Sequence, residues 1–345
     1  WRGRGPKHQR FSAAQATPML TQSTSYLQPR TGTRAGRWAV GWKAAMTALR
    51  ILAALALLAL LGISLVPAFG PWPGDMIAPF RLQLAVAALV GLSAAAALKD
   101  LRLVGFAGIV VAATVVPIAA RLIDRPVLSE TAAGRPLSLV VANVLCDNTQ
   151  YDRVVALVRE QQSDIFAAVE TTPEWVASLD ELKDQYPHSF APTTLGVFGV
   201  ALYAKRPFSA TLLYAGRRQL PLLRADFGDM VVYVAHPMPP ANARLTADNR
   251  DYIEALAAAV GAETHPVIIA GDLNTTLWSN NIEPLLRQPM QWPANSGLAY
   301  SWPTARPWMA IQIDQVLTRG MTAGSYRTLG DVGSDHYPVR VDLVI

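Results

Sequence analysis

"PVIIAGDLN", residues 266–274, is an apolar run that ends in an acid and an amide. Val267, Ile268, Ile269 and Ala270 leave no polar face, so the run reads as a strand buried on both sides. Such a strand needs covering layers, helices or a second sheet. At its tip stand Asp272 and Asn274. Taken alone, an Asp or Asn at a strand end is most often a turn former or a helix cap.

The pattern repeats along the C-terminal part of the chain. "LSLVVANV" reads as a strand ending near Asn143, and "DIFAAVE" as a buried strand ending in Glu170. "VFGVALYAK" and "MVVYVAH" are further strands, the second delivering His236. Asp314 lies in "IQIDQVLT", and "GSDHYPV" places Asp335 and His336 just before the last strand, "VRVDLVI". "YDRVVALVREQQ" and "ARLTADNRDYIEALAAAV" carry apolar residues at helical spacing. Strands alternating with helices predict a mixed α/β domain with central sheets covered by helices.

Upstream the character is different. Residues 1–50 hold nine Lys or Arg and no acid, and residues 1–42 are expected to form a disordered basic tail. Three all-round apolar runs follow, at 51–70, 82–98 and 103–120. Each approaches the length that crosses a ~30 Å hydrocarbon core. A membrane domain with three transmembrane helices is therefore expected over 43–120, a linker over 121–136 and a catalytic domain over 137–345. Trp1 rather than Met opens the chain, so its natural start is expected to lie elsewhere.

Arg34, Arg37, Lys43 and Arg50 precede the first run, and Lys99 and Arg102 separate the second from the third. This bias places the N-terminus in the cytoplasm and the catalytic domain outside. Arg121, Arg125 and Arg135 run against it. Residues 136–345 hold twenty-one acids against fifteen bases, so the net charge of +5 belongs to the tail. No basic run that would track a phosphate backbone appears in the C-terminal part. A single cysteine, Cys146, excludes an intrachain disulfide and a cysteine-built metal cluster.

The strand-end residues form a chemically coherent set. Carboxylates and amides are hard oxygen ligands suited to Mg²⁺ or Mn²⁺, and zinc is disfavoured without HExxH or clustered cysteines. Phosphoryl hydrolysis needs a positioned water, neutralised phosphate oxygens and a proton acceptor. Residues for each are present. No GxSxG elbow, Walker A loop or dinucleotide fingerprint occurs.

In order and wording, "ANV", "DIFAAVE", "GVALYAKRPF", "AHPMPP", "GDLN", "IDQV" and "SDHYPV" resemble the endonuclease/exonuclease/phosphatase superfamily, the deoxyribonuclease-I-like fold. The resemblance covers about residues 137–345. It implies a four-layered α/β sandwich, two sheets flanked by helices, and metal-dependent phosphoester hydrolysis. Carried over, Glu170 would be the main metal ligand, with Asn143 and Asp335. His336 would serve as base or phosphate ligand, oriented by Asp314. Asp272 would position or activate water, and Asn274 and His236 would hold phosphate oxygens. The choice of base between Asp272 and His336 stays open. Arg224 and Arg250 are candidates for contacting substrate phosphate.

Spans followed by this domain, with "HPMPP", are similar to bacterial membrane-bound members, including teicoplanin-resistance-type proteins. That resemblance implies a bacterial plasma-membrane protein with an extracytoplasmic catalytic domain, and a lipid-linked or small phosphate or pyrophosphate substrate at the lipid bilayer. A membrane-anchored nuclease acting on nucleic acid is the alternative, and an inactive membrane-tethered scaffold is the alternative of another class. Trp292, Trp302 and Trp308, in a Pro-rich stretch, are either ordinary packing or residues of a membrane interface. The sequence names no protein partner.

Overall fold

The computed structural model describes residues 34–123 and 134–345. Residues 1–33 of the expected tail and 124–133 of the expected linker lie outside the described residues. The chain divides into two compact units, one up to Thr47 and one from Ala48 to Ile345.

The first long helix is α1 (Arg34–Leu65). It begins inside the segment expected to be unstructured through residue 42, which corrects that reading. Residues 34–50 hold five Ala and no proline, so a helix nucleated in the apolar run propagates upstream. A short α2 (Pro71–Ile77) leads into α3 (Arg81–Ala97), and α4 (Leu101–Ile123) follows. The segments Trp38–Phe69, Pro71–Ala97 and Leu101–Ile123 are long and apolar enough to cross a membrane. Leu57, Ala88, Ala95, Ala107 and Val110 are buried where the helices meet. Small residues of this kind let helix backbones approach closely.

The larger part of the second unit runs β1 (Pro136–Asn143), α5 (Tyr151–Gln161), β2 (Ile165–Val169), α6 (Pro173–Leu179), β3 (His188–Phe190), β4 (Val200–Ala204) and β5 (Ser209–Ala215). It continues through β6 (Leu220–Asp226), β7 (Val231–Ala235), α7 (Ala243–Ala262), β8 (Val267–Asp272), α8 (Glu283–Leu286), β9 (Asp314–Arg319), β10 (Thr322–Thr328) and β11 (Val339–Val344). A six-stranded sheet has the order β10-β11-β1-β2-β4-β3, and a five-stranded sheet the order β5-β6-β7-β8-β9.

Period-two alternation sorts each central strand between two cores. Leu139 and Val141 of β1 face the core between the sheets, with Val232, Val234, Ile268 and Ala270 opposite. Val140 and Ala142 face outward and pack under α5 and α6 with Val154, Val158 and Trp175. On the far side, Tyr233, Val267 and Ile269 pack under α7 and α8 with Ile253 and Leu256. The result is four layers, helix–sheet–sheet–helix, as the family resemblance implied.

Two parallel pairs sit at the centres of the sheets, β1 with β2 and β7 with β8. Their C-terminal ends open toward the same site. Antiparallel partners bring the remaining loops there. Val141 of β1 lies opposite Val339 of β11, so the residues just before β11 fall beside the tip of β1. Asp272 lies opposite Asp314 in the β8–β9 ladder.

The β5–β6 hairpin went unread in the sequence. Pro221 inside β6 has no N–H to donate, and β5 is an edge strand with several half-exposed positions. On β6, Arg224 donates through Nε and Nη2 to Glu263 at 2.6 and 3.0 Å, and Tyr233 Oη donates to the same carboxylate at 2.7 Å. Glu263→Gln is expected to lower stability by about 1–2 kcal/mol at neutral pH. The Arg224 guanidinium holds the Glu263 carboxyl below its ordinary 4.5. The lost stability is therefore fully expressed above that value and fades as pH falls through the depressed one. Urea melts of both proteins across that range check this, and a difference unchanged in acid would assign it to packing rather than charge.

Candidate active site

Asn143, the last residue of β1, is buried and acts as the hub of the cluster. Its Nδ2 lies 2.8 Å from Glu170 Oε1, 3.1 Å from Asp272 Oδ2 and 3.4 Å from His336 Nε2. Its Oδ1 accepts the Leu145 N–H at 3.0 Å, which fixes the amide's orientation. Glu170 follows β2 with a left-handed φ of 61°, and Asn274 follows β8 with φ 49°. Non-glycine residues in that region carry strain that the surrounding fold must hold, and such residues cluster at functional sites. The second Glu170 oxygen accepts the Cys146 N–H at 3.1 Å. Cys146 itself is a partly exposed loop residue.

Asp272 is 1% exposed. Its Oδ1 accepts the Asn274 N–H at 2.8 Å, and its Oδ2 lies 3.7 Å from both His336 Nε2 and His236 Nδ1. His336 Nδ1 lies 2.8 Å from Asp314 Oδ2, so Nδ1 donates and Nε2 faces the cluster. Burial pushes the Asp272 carboxyl up to about 6, with His336 pulling the other way. Burial also works against a charge on His336, but the Asp314 and Asp272 carboxylates outweigh it and raise the imidazole to about 10. The two groups are opposites in one site, an acid made easy to protonate beside an imidazole that keeps its proton.

The loop before β11 is held by Ser334, whose Oγ donates to Asn143 O at 2.8 Å and accepts the His336 N–H at 3.1 Å. Ser301 Oγ accepts the Asp314 N–H at 3.2 Å. Asn249 of α7 donates to Met238 O and Leu273 O at 2.8 and 3.1 Å, tying the His236 and Asn274 loops together. None of these three had been read as supporting the site. Ser334 is a small hydroxyl overshadowed in "GSDHYPV" by the acid and imidazole that follow it, and a polar residue on a helix looks like solvent-facing surface until the helix is docked.

Asn143, Glu170, His236, Asp272, Asn274, Asp314, Asp335 and His336 are thus brought together. Arg224 is not. Its guanidinium is committed to Glu263 and Asp226, on the strand face under α7. Arg250 pairs with Glu254. Neither lines the cavity at the cluster. A lone arginine in a strand is readable as a phosphate ligand only because its acidic partner is far away in sequence. Of the three tryptophans, Trp302 Nε1 donates to Asp335 Oδ2 at 2.9 Å, Trp292 packs at the edge of the core and Trp308 is exposed.

The donor set fits a divalent cation. Asp335 Oδ1 is buried and accepts no hydrogen bond among the described residues. Ligand atoms of Glu170, His236 and Asp272 lie within 4.8 Å of one another, as do those of Asp272, Asp314 and His336. Carboxylate oxygens crowded in this way repel one another unless a cation or a proton intervenes.

The model of the endonuclease/exonuclease/phosphatase family matches residues 140–336, more than half of the chain. The chain belongs to this family. It is an enzyme of the metal-dependent phosphoester hydrolase class. The crystal structure of D. rerio TDP2 complexed with single-strand DNA product is similar at 17% identity, covering 61% of this chain and 99% of that one, with a TM-score of 0.53. A humanized D. rerio TDP2 carrying 14 mutations gives 17% identity, the same coverage and 0.52. Sphingomyelinase C from Streptomyces griseocarneus gives 16% identity over 60% of this chain and 99% of that one, with a TM-score of 0.46. At these identities the TDP2 likeness shows the fold. No curated relative matches the sequence.

Proposed function

We propose that this family member is a membrane-embedded hydrolase of a lipid-linked or small phosphate or pyrophosphate, working with Mg²⁺ or Mn²⁺. One observation carries the reading: the helices apolar enough to cross a membrane are docked onto the domain that holds the cluster. Asp75 accepts the N–H groups of Asn280 and Asn281, and Asn280 Nδ2 donates to Pro67 O and Gly70 O, each at 3.1 Å. Gln83 donates to Ala310 O at 3.0 Å, and Arg121 pairs with Glu283. Ala78, Ala85 and Ile118 are buried against Leu277 and Trp278. An enzyme that needed only tethering would use a free linker. Docking of this extent holds the cluster at a set height above the bilayer.

Glu170, with Asp335, would hold the cation; Asn143, expected as a further ligand, instead turns its Nδ2 to Glu170 Oε1 at 2.8 Å and orients that carboxylate. When bound, it would neutralise phosphate oxygens and favour ionisation of a nearby water. Asp272 accepts the proton of the attacking water through the oxygen that faces His336 and Asn143. His336, charged and oriented by Asp314, opposes the negative charge that grows on the phosphate. His236 and the second Nδ2 hydrogen of Asn274, whose first goes to Pro237 O at 3.0 Å, steady its remaining oxygens. The base is thus assigned to Asp272 and the electrostatic role to His336.

The Lys and Arg of residues 34–50, with Lys99 and Arg102, support a cytoplasmic N-terminus and a bacterial, extracytoplasmic catalytic domain. Arg121 and Arg135, which oppose that bias, pair with Glu283 and Asp229.

The full chain in nanodiscs tests the reading against a polyprenyl pyrophosphate, sphingomyelin, a simple phosphodiester and plasmid and single-stranded DNA. Phosphate release from the polyprenyl substrate, abolished by EDTA and by His336→Ala, is the expected result. Cleavage of DNA alone would make the protein an anchored nuclease. Cation binding without turnover on any substrate would make it a scaffold.

A further inference from the structure

The cluster lies at one end of a cavity of about 630 Å³. Its polar end is formed by Glu170, His236, Asp272, Asn274, Asp335 and His336. Apart from Asp75, its other walls are largely apolar, and they come from two sources. Val197, Phe198 and Met238 belong to the hydrolase domain. Met76, Pro79 and Phe80 belong to the connector between the first two apolar helices. The connector is therefore a wall of the active-site cavity as well as a docking strut.

Three observations say what that wall receives. It faces the catalytic residues across one cavity, so its occupant is joined to the group being hydrolysed. Phe198 brings an apolar ring against the polar cluster, its centroid 5.7 Å from that of His236. The apolar wall is also open to the outside: Met76, which lines the cavity, is 42% exposed. An enzyme for a small polar ester would not keep such a residue uncovered in the cavity of its catalytic carboxylates, whereas a chain leaving the cavity toward the bilayer would cover it. The cavity has room for a phosphate and the first few carbons of one chain.

Resting on the hydrolase reading above, we infer that Met76, Pro79 and Phe80 of the membrane connector, with Phe198 and Met238, form the binding site for a single long apolar chain esterified to the phosphate. The connector thereby determines which phosphoesters the enzyme accepts. In the reaction the oxygen of water bonds to phosphorus and the phosphorus–oxygen bond to the chain breaks. The chain leaves as an alcohol whose oxygen takes up a proton, and phosphate is the other product. Selection works by burial: each methylene that passes from water to the Met76–Phe80 wall raises kcat/KM. Asp75 matters indirectly, because its hydrogen bonds to the Asn280 and Asn281 N–H groups set where that wall stands.

The test uses the full chain in nanodiscs with Mg²⁺ or Mn²⁺ and a series of alkyl phosphates, ethyl, butyl, octyl and dodecyl. The readout is the ratio of kcat/KM for octyl phosphate to that for ethyl phosphate. In the wild type this ratio is expected on the order of a hundredfold. Met76→Gln combined with Phe80→Gln is expected to cut the ratio about tenfold or more, chiefly through KM. Met76→Leu combined with Phe80→Leu should retain it, which guards against a general folding defect. A ratio near one in the wild type, with hydrolysis of every ester intact, would overturn the inference and leave the hydrolase reading standing. A steep ratio unchanged in the Gln variant would also overturn it, by placing the chain elsewhere. No hydrolysis of any alkyl phosphate by a well-folded, cation-binding wild type would sink the hydrolase reading for this substrate class, and the inference with it.

Discussion

Asp272→Asn is expected to lower kcat/KM at least about a thousandfold, the usual magnitude for loss of a positioned general base. The two side chains are nearly equal in volume, and the amide oxygen still accepts the Asn274 N–H that Asp272 Oδ1 accepts at 2.8 Å. What changes is the other atom. Asp272 Oδ2 accepts from Asn143 Nδ2 at 3.1 Å and faces His336 Nε2 at 3.7 Å, whereas an amide nitrogen there would oppose two donors. The variant also removes one of the carboxylates that keep His336 charged, leaving Asp314 and the weaker Asp335. Its imidazole should therefore titrate below the wild type's value of about 10, visible in the histidine ring signals of an NMR titration. Activity within tenfold of wild type would reassign the base. The domain itself should remain folded, since a neutral group at a fully buried site avoids the desolvation that raises the Asp272 carboxyl.

Gly271→Ala acts on the same site from beneath and should be the most damaging substitution without chemistry of its own. Gly271 precedes Asp272 on β8 with φ 139°, a conformation that side-chain-bearing residues rarely adopt. A Cβ there would lie 2.1 Å from the Ala235 carbonyl oxygen. That atom is backbone of the neighbouring strand and cannot rotate away, so β7 and β8 must separate where they deliver His236 and Asp272. The expected cost is about 3–4 kcal/mol, combining backbone strain with overpacking. For a domain of this size that corresponds to roughly 10 °C in Tm, with activity lost in the fraction that stays folded. An unchanged melting curve would show that the strands part without penalty.

Much of the site was legible because the chemistry sits at the ends of strongly apolar strands. In "PVIIAGDLN" and "DIFAAVE" the burial signal and the polar terminus are contiguous, so Asp272 and Glu170 stand out locally. Arg224 was misread because its partner Glu263 lies at the far end of α7, and no local pattern announces an ion pair across an element. Ser334, Ser301 and Asn249 escaped for the same reason. Each bonds to backbone that is distant in sequence, and a hydroxyl or amide has no periodicity of its own.

Composition and hydropathy by themselves determined three apolar helices, a mixed α/β domain and the identity of the carboxylates and imidazoles in play. Those properties follow from side-chain transfer free energy and strand or helix period, which are local. Only the tertiary structure decided that Asp272 faces Asp314 across the β8–β9 ladder, that His336 reaches Asp314 rather than solvent, and that the connector carrying Met76 and Phe80 closes one side of the cavity. Register, burial of one charge against another and the docking of helices on a distant loop depend on pairings between remote segments, which the order of residues does not display.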